Sequence, residues 1–319
     1  MQKNFAIIGV AGYIAPKHLQ AIKQTGNKLV AAVDPNDSVG ILDSFFDDVS
    51  FFTEFERFDR HIERQRRESA DHKIDYVSIC SPNHLHDAHI RFALRIGSHA
   101  ICEKPVVLNP WNCNALMDLE QEFGGKVYTI LQLRLHPELI SLREELQQAG
   151  QDRKHDVELT YITPRGLWYQ YSWKGQREKS GGVATNIGIH MFDLLIWLFG
   201  AVQGCEVHYE DPRKITGLLE LERARVKWFL SVDGRDLPGG PESEKNNSYR
   251  LMSIDGREIE FSPGFKDLHK VSYEEILAGR GFGLEEAQPS IELCSAIRYS
   301  EPTGPTANSH PLYLKSTKA

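Results

Sequence analysis

Cysteine is scarce in this chain. Cys80, Cys102, Cys113, Cys205 and Cys294 are scattered, odd in number and never form a C-x-x-C pair, which argues against a disulfide framework or a zinc site. No metal is expected, and Cys80 and Cys102, which end apolar runs, read as small buried hydrophobes. A basic surplus is also missing. The chain has 37 Lys and Arg against 44 Asp and Glu, a net charge of −7, so phosphate-backbone binding lacks electrostatic support and no nucleic-acid partner is expected. The one basic cluster, His61 to Arg67, is broken by Glu63 and reads as a solvated helix face. No apolar run reaches bilayer length. The most apolar segment, Met191 to Val202, carries Asp193 and reads as a buried helix, so no membrane partner is expected. Met1-Gln2-Lys3-Asn4 leads into a strand without an apolar leader, which makes the cytoplasm the expected compartment.

What is present suits two domains. The chain has 319 residues, 41% of them hydrophobic. Up to about residue 130, apolar strand-like runs alternate with helical patterns: strands at Phe5–Val10, Lys28–Val33, Tyr76–Cys80, His99–Cys102 and Lys126–Leu131, helices through His18–Lys23, Ala88–Ile96 and Pro110–Phe123. That alternation predicts an open parallel α/β sheet of Rossmann type over residues 1–130, with ligands beyond the C-terminal strand ends. After about residue 155, half-exposed strand patterns dominate, at Val157–Ile162, Lys214–Leu221, Arg225–Val232 and Arg257–Phe261. Asp233-Gly234 and Asp255-Gly256 read as hairpin turns. Pro238-Gly239-Gly240-Pro241-Glu242-Ser243 reads as a polar loop. Two helices, His190–Phe199 and Glu285–Tyr299, interrupt the strands. Residues 131–319 therefore read as an α+β domain with a large, mostly antiparallel sheet.

Gly9-Val10-Ala11-Gly12-Tyr13-Ile14-Ala15 joins the first strand to the first helix. It departs from G-x-G-x-x-G and reads as G-x-x-G-x-x-A, with Gly9 and Gly12 letting a pyrophosphate approach the helix N-terminus. Asp34 ends the second strand, at the distance expected for the acid that bonds adenosine ribose hydroxyls. A carboxylate there repels a 2′-phosphate, and no Arg follows at Pro35 or Asn36, so NAD is favoured over NADP. The same opening occurs in S-adenosylmethionine-dependent methyltransferases, so these residues alone do not name a reaction.

Two further segments carry the reaction class. Glu103-Lys104-Pro105 directly follows the strand His99–Cys102, and Ser180-Gly181-Gly182-Val183-Ala184-Thr185-Asn186-Ile187-Gly188-Ile189-His190 opens the apolar helix. With the glycine turn and Ser81-Pro82-Asn83, they resemble the Gfo/Idh/MocA oxidoreductase family over nearly the whole chain. The resemblance implies oxidation of a sugar carbinol with NAD(H). It makes Lys104 the active-site lysine and His190 the catalytic histidine. Asn186 stands where that family usually has Asp, so it orients a ring without adding a negative charge. His190 suits the general base and Lys104 the cation that stabilises a developing alkoxide. The cofactor set is then Gly9, Gly12, Tyr13, Ile14, Asp34, Ser81, Asn83, Glu103, Lys104, Gln132 and Trp173. Asn83 also reads as a cap for the helix after Pro82, Glu103 as a ribose ligand, and His86 as structural.

Gly12-Tyr13-Ile14-Ala15-Pro16, Leu131-Gln132-Leu133-Arg134-Leu135-His136-Pro137, Ser172-Trp173-Lys174-Gly175 and Gly281-Phe282-Gly283-Leu284-Glu285-Glu286 are similar to the UDP-N-acetylglucosaminuronate 3-dehydrogenase branch, as is Asn186. That likeness implies oxidation of the 3-hydroxyl of UDP-2-acetamido-2-deoxy-D-glucuronate for bacterial O-antigen. It further implies a coenzyme that some members retain and regenerate with 2-oxoglutarate, and a homo-oligomer, dimer or tetramer. Arg134, Arg165 and Lys174 offer cations for the carboxylate and diphosphate, alongside Lys104, Asn186 and His190 at the sugar. Another sugar or inositol dehydrogenase, or a non-catalytic NAD-binding redox sensor, are the competing readings.

Overall fold

The computed structural model describes residues 2–148, 150, 153–239, 248–259 and 267–316. The chain forms two compact units: Met1–Leu135 with Asp267–Gln288, and His136–Lys266 with Pro289–Ala319. A single boundary at residue 130 does not anticipate the return of 267–288 to the first unit.

In chain order the first unit contains β1 (Asn4–Ile8), α1 (Ala15–Gln24), β2 (Lys28–Val33), β3 (Ser50–Phe52), α2 (Phe55–Glu68), β4 (Tyr76–Ile79), α3 (His86–Arg95), β5 (His99–Cys102), α4 (Pro110–Phe123) and β6 (Val127–Thr129). The strands form one parallel sheet in the order β3-β2-β1-β4-β5-β6. The order in which strands are added reverses between β1 and β4, the switch point where open α/β sheets bind ligands. Central strands such as Phe5, Ala6 and Ile7 are wholly buried, as a sheet covered on both faces requires. The basic run of the sequence lies in α2, whose Glu63 pairs with Arg66 and Arg67 on an exposed face.

The second unit runs through α5 (Pro137–Gln148), β7 (His155–Ile162), the short helices α6 (Leu167–Tyr171) and α7 (Arg177–Ser180), α8 (Ile189–Phe199), β8 (Val202–Glu210), β9 (Lys214–Leu221), β10 (Ala224–Ser231), β11 (Tyr249–Ile254) and β12 (Arg257–Ile259). Its sheet has the order β12-β11-β7-β10-β9-β8. The β7–β10 pair is parallel and every other pair antiparallel. Asp255 (φ 51°) and Gly256 (φ 82°) form the β11–β12 hairpin turn, both central residues left-handed as a type I′ turn demands.

Asp233-Gly234 does not make a hairpin. The Asp233 carboxylate accepts from the Arg235 N–H at 3.0 Å and turns the chain into a short 3₁₀ segment, Gly234–Asp236. The polar-loop reading at 238–243 and the end of the strand predicted at 257–261 lie partly outside the described residues. The stretch Arg177–Phe199 is long and apolar enough to cross a membrane, yet 72% of its apolar window is buried; it is a core helix, as Leu194, Leu195 and Leu198 at 0% exposure show.

The chain then returns to the first unit as α9 (Leu268–Leu277). Tyr273 and Ile276 of α9 share an apolar cluster with Leu19 and Ile22 of α1 and Phe5 of β1. The Thr129 N–H bonds the Phe282 carbonyl at 2.9 Å, so the returning segment also flanks β6. α10 (Leu284–Tyr299), with Pro289 inside it, and α11 (Pro311–Ser316) complete the chain.

Candidate active site

The C-terminal ends of β1, β2, β4 and β5 lie side by side. Gly9 leaves β1 with φ +85°, and a Cβ there would stand 2.7 Å from the Cys80 carbonyl carbon and the Ser81 nitrogen. Only glycine lets this turn pass that close to the end of β4. A Cβ on Gly12 would meet the Gly9 carbonyl oxygen at 3.1 Å. Asp34 is brought to the same turn: its Oδ2 accepts from the Ala11 N–H at 3.0 Å and its Oδ1 from the Asn36 N–H at 2.9 Å. Ile14 occupies the N-cap position of α1 with no side-chain cap, and Tyr13 beside it is 94% exposed. Among the described residues the N–H groups of Tyr13 and Ile14 have no backbone acceptor, which leaves donors at a helix N-terminus for an anion such as a pyrophosphate.

Ser81 and Asn83 follow β4 and are buried. The Ser81 hydroxyl bonds His89 Nδ1 at 2.8 Å. Asn83 begins a 3₁₀ turn and is not the cap of α3; Leu85 holds that position, without a side-chain hydrogen bond. Past β5, Lys104 is half-buried and precedes a cis peptide bond to Pro105. Gln132 presents a buried Oε1 that has no partner among the described residues, the kind of orphaned acceptor that a bound amide or hydroxyl would satisfy.

Glu103 faces the interior as well as the strand end. Its carboxylate is buried, and Oε1 accepts from His18 Nε2 at 3.0 Å and from His269 Nε2 at 3.1 Å, so this oxygen serves the interior. Because a carboxylate only accepts, both Nε2 atoms carry hydrogen. His18 Nδ1 then accepts from the Tyr273 hydroxyl at 2.7 Å, and Tyr273 accepts from Ser78 at 2.6 Å. Burial opposes the Glu103 charge, yet the bonds from His18 and His269 hold its carboxyl well below the usual range. Burial likewise lowers His18, keeping it neutral. Ligand atoms of His18, Glu103 and His269 lie within 4.8 Å of one another, but hydrogen bonding accounts for the cluster without an ion. Sequence reasoning missed His18, His269 and Tyr273. The signal was there in part, since His18 falls on the buried stripe of α1, where an unpartnered imidazole is costly.

The Arg134 guanidinium is buried, donates to the Glu286 carbonyl at 3.0 Å and lies 5.4 Å from the Phe282 ring centre, so it anchors the returning segment. Gly281–Glu286 is a helix start, where the Gly283 N–H donates to the Glu286 carboxylate at 2.8 Å.

In the second unit, Ala184–Gly188 forms a π turn directly before α8. Such turns recur at functional sites because they displace side chains from the regular helical stripe. Asn186 lies within it and His190 just after it, both half-buried. The Asn186 amide donates to the Tyr169 hydroxyl at 2.6 Å. Lys174 places its ammonium 4.9 Å from the Trp168 ring centre and 5.7 Å from that of Trp173, a cation held over two indoles. Arg165 is exposed, with its backbone N–H bonded to the Val232 carbonyl at 2.9 Å. The structure thus gathers Gly9, Gly12, Asp34, Ser81, Asn83 and Lys104 at strand ends of one unit, and Asn186, His190, Trp173 and Lys174 in the other.

The profile described as "Oxidoreductase family, NAD-binding Rossmann fold" matches residues 3–130, and that of its C-terminal alpha/beta domain residues 153–229. The crystal structure of the WlbA (WbpB) dehydrogenase from Thermus thermophilus, in complex with NAD and alpha-ketoglutarate, is 50% identical, covers 97% of this chain and 99% of its own, and has a TM-score of 0.93. The same dehydrogenase with NAD and UDP-GlcNAcA is 49% identical, with the same coverage of 97% and 99% and a TM-score of 0.92. WlbA from Bordetella pertussis shares the fold at 19% identity and a TM-score of 0.75, covering 93% of this chain and 94% of its own. D-glucoside 3-dehydrogenase of Escherichia coli (strain K12) is 28% identical over 43% of this chain and 39% of that protein. The chain matches less than half the length of the first curated relatives. Its first unit is an NAD-binding Rossmann domain, and the chain belongs to the Gfo/Idh/MocA oxidoreductase family.

Proposed function

We propose that this chain is an NAD-dependent dehydrogenase that oxidises the 3-hydroxyl of UDP-2-acetamido-2-deoxy-D-glucuronate to the 3-keto sugar, a step toward bacterial O-antigen. One observation carries the reading: 50% identity across 97% of the chain with a WlbA (WbpB) dehydrogenase that crystallised with NAD and, in a second structure, with UDP-GlcNAcA. The Gly9–Gly12 turn, its unbonded N–H groups, Asp34 and the Gln132 acceptor fit a dinucleotide. NAD, when bound, supplies the hydride acceptor, and 2-oxoglutarate a means of restoring its oxidised form.

The protein's own part is proton and charge management. His190 takes the hydroxyl proton, its ring presented at the end of the π turn. The Lys104 ammonium stabilises the negative charge that grows on that oxygen. Asn186 holds its place through Tyr169 and contributes no charge beside the histidine. Arg165 and Lys174 supply cations for the diphosphate and the uronate carboxylate. The enzyme works in the cytoplasm as a homo-oligomer, dimer or tetramer, in keeping with the sheet domain of its family.

Purified protein given the UDP-sugar and 2-oxoglutarate should yield a product lighter by two hydrogens in mass spectrometry. Lys104→Ala or His190→Ala should lower kcat by about 10²–10⁴ while NAD binding survives. Turnover of free inositol or an aldose, with none of the UDP-sugar, would overturn the substrate. NAD binding with no turnover of any of these would favour the sensor.

A further inference from the structure

His86 is the first residue of α3 and wholly buried. Its Nδ1 lies 2.7 Å from the Pro105 carbonyl oxygen and its Nε2 lies 2.7 Å from the Ser81 carbonyl oxygen. A carbonyl oxygen only accepts. A neutral imidazole has one N–H and one bare lone pair, so in that form one of these contacts would set two lone pairs against each other. Turning the ring over would put carbon atoms against the same oxygens, far inside the roughly 3.3–3.6 Å of a C–H···O contact. The doubly protonated ring is the form that satisfies both oxygens.

We infer that His86 is an imidazolium at neutral pH, a charged clamp that ties the Ser81–Asn83 loop to the Glu103–Lys104–Pro105 turn and positions both for the nicotinamide coenzyme. Burial is the largest influence and, with Lys104, lowers His86 below its ordinary value, whereas both carbonyl bonds and the Glu103 carboxylate oppose that. The case for the cation is the geometry, in which each ring nitrogen faces an oxygen that only accepts. Glu103 stays anionic and its partners His18 and His269 are donors to it, so the cation of His86 balances a buried negative charge. On its own element, α3, the titratable neighbours are Asp87, His89, Arg91 and Arg95, with His84 in the turn before it, and burial holds His89 at about 4, neutral at physiological pH. The clamp joins the turn after β4 to the turn after β5 through two backbone oxygens, so it fixes the main chain at Ser81 and directly after Lys104.

The positioning role rests on assigning these two loops to the coenzyme site; the protonation state does not. Long-range ¹H–¹⁵N spectra of the full-length protein with labelled histidine test the charge. The His86 signals are those lost in His86→Gln, or are assigned through the backbone of the unmutated protein if that variant does not fold. Two protonated-type nitrogens from pH 6 to pH 9 are expected, and one unprotonated ring nitrogen at pH 7.5 overturns the clamp. NAD⁺ titration tests positioning: His86→Gln should weaken binding at least tenfold, with the unmutated protein's affinity flat across the same pH range. Binding within twofold of the unmutated protein overturns the positioning role. Failure of the unmutated protein to bind NAD⁺ would sink the coenzyme reading itself, and the positioning role with it.

Discussion

The Asp34 carboxylate is held by two backbone N–H groups, from Ala11 at 3.0 Å and Asn36 at 2.9 Å, and each oxygen keeps a lone pair for a further donor. Holding the turn is compatible with the ribose reading of this residue, because the backbone bonds aim the carboxylate. Asp34→Ala removes a charged acceptor worth about 1.5–3 kcal/mol, so NAD⁺ affinity should fall roughly 10- to 150-fold. Preference over NADP⁺ should narrow at the same time, since the repelling charge is gone. Fluorescence titration with both dinucleotides checks this, and unchanged NAD⁺ affinity would remove Asp34 from the site. At this scale Gly9 and Asp34 were legible because strand end, glycine and acid come in a fixed order. The interior partners of Glu103 were not legible, because nothing in Glu103-Lys104-Pro105 reveals that His18 and His269, far away in sequence, converge on its carboxylate.

Among the elements, those with a strong period were legible and short or returning ones were not. The predicted Pro110–Phe123 and Lys214–Leu221 match α4 and β9 residue for residue. β3, with three half-buried residues, has too little pattern to announce itself. α9 was missed because its apolar residues are explained only by the α1 surface they meet. Its Tyr273 hydroxyl donates to His18 and accepts from Ser78, all of them buried. Tyr273→Phe keeps the ring and strands both partners. An unsatisfied buried polar group costs about 1–3 kcal/mol, so with two stranded the loss of stability should be about 2–6 kcal/mol. Urea unfolding should show a lower midpoint with an unchanged slope. A variant as stable as the original would mean the tether contributes nothing.

Taken as a whole, the molecule carries neutral histidines in both units, His89 half-buried and His310 buried. His89 is held at about 4 by burial, with His86 and His84 adding to the effect, and His310 at about 4 by burial with a smaller contribution from Lys227. His310 Nδ1 accepts from the Leu312 N–H, which leaves Nε2 as the donor to Thr160. Above the ordinary value of 6.5 these rings cost nothing in either state. As pH falls below it, the unfolded chain takes up protons that the folded rings refuse until about pH 4. Stability should therefore decline from pH 6.5 to pH 4, by up to about 3 kcal/mol for each ring. Melting temperature against pH measures it, and His310→Gln should flatten part of the slope; a flat profile would mean these rings titrate normally. Two units and their sheet types were legible from the change of hydrophobic period. The discontinuous make-up of the first was not, since period carries no information about which body a later helix joins.

That discontinuity bears on synthesis. The core between α1 and β1 is closed by Tyr273 and Ile276, which leave the ribosome roughly 140 residues after β6 is complete. At about 5–20 residues per second, the emerging strands wait on the order of 7–28 s with that flank bare. A fragment ending near residue 135 would carry the same bare flank for good, so severing the chain there should yield an aggregating piece and not a portable coenzyme module.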